Sequence, residues 1–324
     1  MNPAVSVAYL EVGHLASLAV RIPVVTVGSG EPVLSVTCGV HGDETMGVMA
    51  GYQFVQRLLQ EPDLNGTVRL IPAANPIAQA TGTRVTLADY GDLQVGRGQA
   101  DGSLTKRMAH HLYSLLIQST LVVDLHEFGD MDTPTMAVYI PVGTSEVNQR
   151  ILDHIAALSP DWVWVVPNDR GSIAAALIQG GVPSLGVETG NALLLTDRDV
   201  ERVSDGLYRV AQMMGIVPGK PTVSSVVAYD RTSVTSECAG LWQPDVQLSE
   251  IVENGQVVGR VVPFPLISQE VVHCAKSGRV VQLARRQLVR TGSDLLAIGQ
   301  ENDPVTAALR AVALRFDGGC DLEE

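Results

Sequence analysis

Between residues 33 and 214, short apolar β-branched runs alternate with segments whose apolar residues recur at helical spacing. No other feature constrains the fold as much. Residues 33–40, 68–74, 121–126, 137–140, 162–166 and 184–188 read as strands, after an opening hairpin over residues 10–28. Residues 47–59, 104–118, 147–158, 172–179 and 197–214 read as helices. In the first of these, Val48, Tyr52, Val55, Leu58 and Leu59 recur at helical spacing. Strands and helices in this order predict an α/β fold, a largely parallel or mixed sheet flanked by helices. Residues 79–102 are polar and Gly-rich with no period, and an irregular stretch of that length inside a compact domain is often functional.

The pattern changes at Gly215-Ile216-Val217-Pro218-Gly219-Lys220-Pro221. Beyond it come short strands, with glycines at 240, 255, 259, 278, 292 and 299, which predicts a small all-β domain. The expected division is residues 1–218 and a β-rich accessory domain of 219–324, ending in a weakly helical stretch over 305–315 and an acidic tail.

The formal net charge is -13, and no basic run interrupts the acidic balance, which argues against nonspecific binding to nucleic acid or anionic membranes. No uninterrupted apolar stretch reaches the roughly 20 residues of a membrane span. The N-terminal residues lack the basic-then-apolar pattern of a signal peptide, so a cytoplasmic protein is expected. The four cysteines, Cys38, Cys238, Cys274 and Cys320, show no metal-knuckle spacing, and the chain is too long to need disulfide staples.

Three predicted strands end in chemically suggestive residues: His41-Gly42-Asp43-Glu44, His126 and Glu188. The ends of parallel strands converge on one edge of a sheet, where α/β proteins place their sites. A catalytic zinc usually takes three protein ligands from His and Asp/Glu, often a closely spaced pair and a distant third. His41 and Glu44 would be the pair and His126 the third. The plainer alternatives are a first-turn helix carboxylate for Glu44, favoured by the dipole, and a hydrogen-bonded core histidine for His126. Asp124, two residues before His126, shares its side of the strand and could orient the imidazole, whereas Glu127 would face away. His110 and His111 are adjacent on an amphipathic helix and cannot both face one site. His14, His154 and His273 lack supporting context.

Gly39-Val40-His41-Gly42-Asp43-Glu44, Ala74-Asn75-Pro76, Asp124-Leu125-His126, Gly181-Val182-Pro183 and Val187-Glu188-Thr189-Gly190 together resemble the succinylglutamate desuccinylase/aspartoacylase family, in family order. These are zinc-dependent deacylases related to the zinc carboxypeptidases. The resemblance implies a zinc carboxypeptidase-like mixed sheet and one zinc per chain on His41, Glu44 and His126. It also implies that Glu188 is the general base, that Arg84 stabilises the oxyanion and that Asn75 lies in the substrate site. The family's Asp-Leu-Asn-Arg, whose Asn-Arg grips a substrate carboxylate, reads here Asp92-Leu93-Gln94-Val95-Gly96-Arg97. Gln94 stands at the place of the Asn. The Arg is replaced by Val95, and Arg97 or Arg170 would have to supply the cation, Arg170 having a capping-region ion pair as its other reading. This departure weighs far more against an aspartoacylase or desuccinylase label than against the zinc hydrolase reading.

Gly240-Leu241-Trp242, Val252-Glu253-Asn254-Gly255 and Ala275-Lys276-Ser277-Gly278 resemble biotinyl/lipoyl carrier domains. Residues 263–268, where a carrier lysine belongs, contain none, so no lipoylation or biotinylation is expected. The expected protein is a zinc-dependent amidohydrolase acting on a small acylated amino acid or amine. A homo-oligomer is compatible with the accessory domain, and neither nucleic acid nor membrane is an expected partner. The alternatives are a metallocarboxypeptidase on small peptides and a non-catalytic metal- or ligand-binding relative.

Overall fold

The computed structural model describes residues 3–129, 131–169, 171–191 and 196–317. Along the first half run β1 (Val5–Leu15), β2 (Leu18–Ser29), β3 (Val33–Thr37), α1 (Met46–Leu58), β4 (Gly66–Ile71), α2 (Pro76–Thr81), α3 (Leu104–Leu116), β5 (Leu121–Phe128), β6 (Met131–Asp132), β7 (Met136–Tyr139) and α4 (Ser145–Leu158). Then come β8 (Trp162–Val165), α5 (Ile173–Gln179), β9 (Ser184–Asn191) and α6 (Asp197–Met213). After the linker follow β10 (Val227–Thr235), β11 (Gly240–Pro244), β12 (Ile251–Val252), β13 (Val257–Pro263), β14 (Glu270–His273), β15 (Gly278–Ala284), β16 (Gln287–Val289), β17 (Asp294–Glu301) and α7 (Asp303–Asp317).

The main sheet has 13 strands, with β1-β2-β4-β3-β5-β9-β7-β8-β10-β17-β15-β12 in order and β6 paired to β15. Its centre, β4, β3, β5 and β9, is parallel, and β7 runs antiparallel to β9. Strands β3 and β5 are buried almost throughout, which is why both read as unbroken apolar runs. Helix α1 covers them with Met46, Ala50, Phe54 and Leu58, four residues apart on one face. The sheet does not stop at the linker. Strand β10 pairs in parallel with β8, so residues from both sides of Gly215 share one sheet. A second sheet of 4 strands, β14-β13-β11-β16, packs through Trp242, Val258 and Val261.

The stretch read as irregular begins instead with α2. A helix of 6 residues is too short to show a period, but its start is written in Asn75-Pro76, a capping side chain followed by proline.

Candidate active site

Strands β3, β5 and β9 are parallel neighbours, so their C-terminal ends lie side by side. The turn after β3 carries His41 and Glu44, β5 carries His126, and β9 carries Glu188 in direct register with His126. Two glycines shape the turn. Gly39 has φ +64, in the left-handed region, and a Cβ on Gly42 would sit 1.9 Å from the backbone of Ala78 in α2. The turn is therefore pressed against α2 and aims His41 inward. Glu127, on the other side of β5 from His126, accepts hydrogen bonds from the amides of Thr45 and Met46 and so holds the start of α1.

His41, Glu44 and His126 are buried, with one ligand atom of each within 4.8 Å of the others. His41 Nδ1 lies 2.6 Å from Glu44 Oε1, His126 Nδ1 lies 3.0 Å from Glu44 Oε2, and the two Nδ1 atoms are 3.3 Å apart. Ligands around a tetrahedral ion with bonds of about 2.0–2.1 Å stand roughly 3.3 Å from one another, so this donor set fits such an ion. The outward nitrogens are also held. Nε2 of His126 is 2.9 Å from Asp124 Oδ2, and Nε2 of His41 is 3.3 Å from Asp92 Oδ1. A carboxylate behind each imidazole fixes its tautomer and leaves Nδ1 free to bind. Thr37 donates to the other oxygen of Asp124.

The charges follow from these contacts. Burial opposes a charged ring in both histidines, yet Asp92 and Glu44 raise the pKa of His41, and Asp124 and Glu44 raise that of His126. The same rings draw the Glu44 carboxyl down to about 2 against its burial. Glu188 behaves oppositely: burial, which the nearby histidines only partly offset, pushes it up to about 7.

These residues open on a cavity of about 880 Å³, lined also by Arg84, Gln94, Phe128, Val138, Ile140, Trp164, Val166, Asp169 and Ser172. Arg84 reaches back to the cluster, 3.6 Å from Glu44 Oε1 and 3.4 Å from Asp92 Oδ2. Among the described residues no helix is long and apolar enough to cross a membrane.

A sequence model of the succinylglutamate desuccinylase/aspartoacylase catalytic domain matches residues 31–214. The chain belongs to this family. The N-alpha-acetyl-L-2,4-diaminobutyric acid deacetylase of Halomonas elongata is 31% identical over 261 residues, 75% of this chain and 74% of that protein. The product-bound ectoine utilization protein EutE (DoeB) from Ruegeria pomeroyi has the same fold at 22% identity, with a TM-score of 0.83 over 92% of this chain and 95% of that one. A succinylglutamate desuccinylase/aspartoacylase from Rhodobacter sphaeroides has it too, at 22% identity and a TM-score of 0.82 over 93% and 95%. Family members are deacylating hydrolases, and the chain is an enzyme of that class.

Within this family member the residues expected to bind substrate are dispersed. Asn75 is fully buried, and its amide is spent locally: it accepts from the Ala78 amide and donates to Thr86 Oγ1. It therefore caps α2 and does not line the cavity. Arg97 points elsewhere, 5.4 Å over the ring of Tyr113, and is also absent from the lining. Gln94 does line the cavity, donating to Asp124 Oδ2 at 3.1 Å and lying 3.1 Å from His126 Nε2. Arg170 lies outside the described residues. Sequence reasoning missed Asp92 as the partner of His41. It also missed the aromatic wall of Phe128 and Trp164, over which the Arg231 guanidinium lies at 6.0 and 4.8 Å. Strand alternation puts Trp164 and Val166 on one face, but only long-range pairing puts that face beside β9.

Proposed function

We propose that the protein is a zinc-dependent deacylase that hydrolyses the amide bond of a small N-acylated amino acid or amine. The observation that carries this reading is the convergence of His41, Glu44 and His126 beside Glu188 in one cavity. When bound, zinc acts as a Lewis acid and brings the pKa of a water toward neutrality. His41, Glu44 and His126 would hold it, with Asp92 and Asp124 orienting the two rings. Glu188 takes the proton of the attacking water and returns it to the leaving nitrogen, a role its raised pKa suits. Arg84 is poised to meet the negative charge that develops on the carbonyl oxygen. The deacetylase activity named for the Halomonas relative supports a short acyl group. We also read residues 219–324 as an accessory unit of biotinyl/lipoyl type. The four-stranded sheet supports this, while the β13–β14 loop, with no lysine, offers no carrier site.

The test is metal analysis of the full-length protein together with hydrolysis of N-acetyl amino acids and amines. About one zinc per chain, and turnover lost to a chelator and restored by zinc, are expected. A protein that turns over equally well without metal overturns the reading. Arg84→Ala is expected to lower kcat about 10²–10³-fold with a smaller effect on KM, because the guanidinium acts on charge present only in the transition state. The Arg84 side chain is 56% exposed, so its loss should leave the thermal midpoint unchanged. Asp92→Asn is expected to weaken zinc binding about 10-fold, read by competition with a chelating dye, because His41 loses the carboxylate behind its Nε2.

A further inference from the structure

The cavity extends well past the cluster of metal-binding side chains. From His126 on β5 it continues over Glu188 and Gly186 on β9, Val138 on β7 and Trp164 on β8. These four strands are consecutive in the sheet, and three steps of about 4.8 Å carry the floor about 14 Å from His126. That floor is apolar. Val138 is in register with both Gly186 and Trp164, and Ile140 and Val166, the residues that directly follow β7 and β8, also line the cavity. Gly186 keeps the passage low, since a Cβ there would meet the Val138 side chain at 3.2 Å.

The charged groups that border this floor are carboxylates, Asp43, Glu127 and Asp169. Both oxygens of Glu127 accept from the first amides of α1, and Asp169 accepts from the amides of Gly171 and Ser172. Among the described lining residues, the one guanidinium is Arg84, which belongs to the Glu44 end of the cavity. Among the described residues the floor itself is built of apolar side chains, Val138, Ile140, Trp164 and Val166, and offers dispersion and apolar burial.

Its direction says which half of a substrate it receives. Glu188 must reach the leaving nitrogen to protonate it, so that nitrogen lies over β9. Whatever the nitrogen carries then continues over β7 and β8. We propose that this groove selects amides whose amine half bears an apolar group of aromatic or branched aliphatic size, with Gly186, Val138 and Trp164 as the specificity-determining residues. The inference rests on the deacylase reading and deepens it.

Two measurements test it separately from that reading. On the zinc-loaded full-length enzyme, kcat/KM for N-acetyl-L-phenylalanine and N-acetyl-2-phenylethylamine is expected to exceed that for N-acetyl-L-aspartate and Nα-acetyl-L-2,4-diaminobutyrate about 10- to 100-fold. Gly186→Val should lower kcat/KM for N-acetyl-L-phenylalanine about 10-fold more than for N-acetylglycine, chiefly through KM. Should that variant fail to fold, Val138→Asp reads the same preference. The second measurement is direct binding of 2-phenylethylamine and of ethylamine, which carries the same charge without the ring, to the metal-free protein by calorimetry. Tighter binding of the ring-bearing amine, even with no panel amide hydrolysed, upholds the groove assignment while sinking the deacylase reading. Equal or stronger preference for the aspartate or diaminobutyrate compounds overturns the groove assignment and leaves the deacylase reading in place.

Discussion

His126→Ala is expected to bring bound zinc from about one per chain to near zero, and to reduce deacylation at least about 10³-fold. In the proposed zinc site His126 would supply the ligand atom from β5, and the remaining pair, His41 and Glu44, belongs to a single turn. Two ligands on one turn cannot define a tetrahedral site with an open position. The substitution also strands Asp124, whose carboxylate then keeps only Thr37 and Gln94 as side-chain partners in a buried place. Some loss of stability is therefore expected in the metal-free variant. Activity loss from unfolding is separated from loss of the metal by a thermal scan with and without zinc. Zinc should raise the midpoint of the wild-type chain, because it binds only the folded site, and leave that of the variant where it was. A variant that retains one zinc and most of its activity would rule out His126 as a ligand.

How far the sequence reveals this site depends on the range of the interaction involved. His41, Glu44, His126 and Glu188 are legible because each stands at the end of an apolar run. Parallel neighbours must then bring those ends together. Asp124 is legible for a local reason too, since residues two apart on a strand share a face, and its carboxylate does lie against His126 Nε2. Asn75 shows the opposite. Its position matches a family motif, but the local chain turns its side chain into a helix cap. Arg97 follows a loop in which Gly96 and Gly98 both adopt positive φ, and no sequence period predicts where such a loop carries a side chain. The apolar floor is the least legible part. Val138 meets Gly186, with Trp164 on its other side, only because β7 enters the sheet antiparallel to β9, a pairing between residues nearly 50 positions apart. The continuation of the sheet through β10 is hidden for the same reason: composition marks a linker at Gly215, but not the strand pairing that bridges it.

Glu188→Gln is expected to lower kcat about 10²–10⁴-fold while leaving zinc content unchanged, since the amide keeps the shape of the carboxylate but cannot carry a proton between water and the leaving nitrogen. The same variant tests the electrostatics of the site in the metal-free protein, where the sign can be worked out. Burial raises the Glu188 carboxyl to about 7, above its ordinary value of 4.5. Between those values the folded chain binds more protons than the unfolded chain, so stability falls as pH rises through the window. Above pH 7 the folded protein carries a half-buried carboxylate, at a cost of up to about 3 kcal/mol. Metal-free Glu188→Gln should therefore be more stable than the metal-free wild type at pH 8, with the advantage shrinking toward zero by pH 4. A difference that grows toward acid pH would mean that Glu188 is held as a stabilised carboxylate and not as a group poised to take up a proton. A bound divalent cation acts in the opposite sense, favouring the ionised carboxylate and moving its titration below 7. The acidic limb of the wild-type rate profile should accordingly fall at lower pH than the titration of Glu188 in the stripped protein. Carbon NMR of labelled glutamate, compared with that limb, measures the displacement.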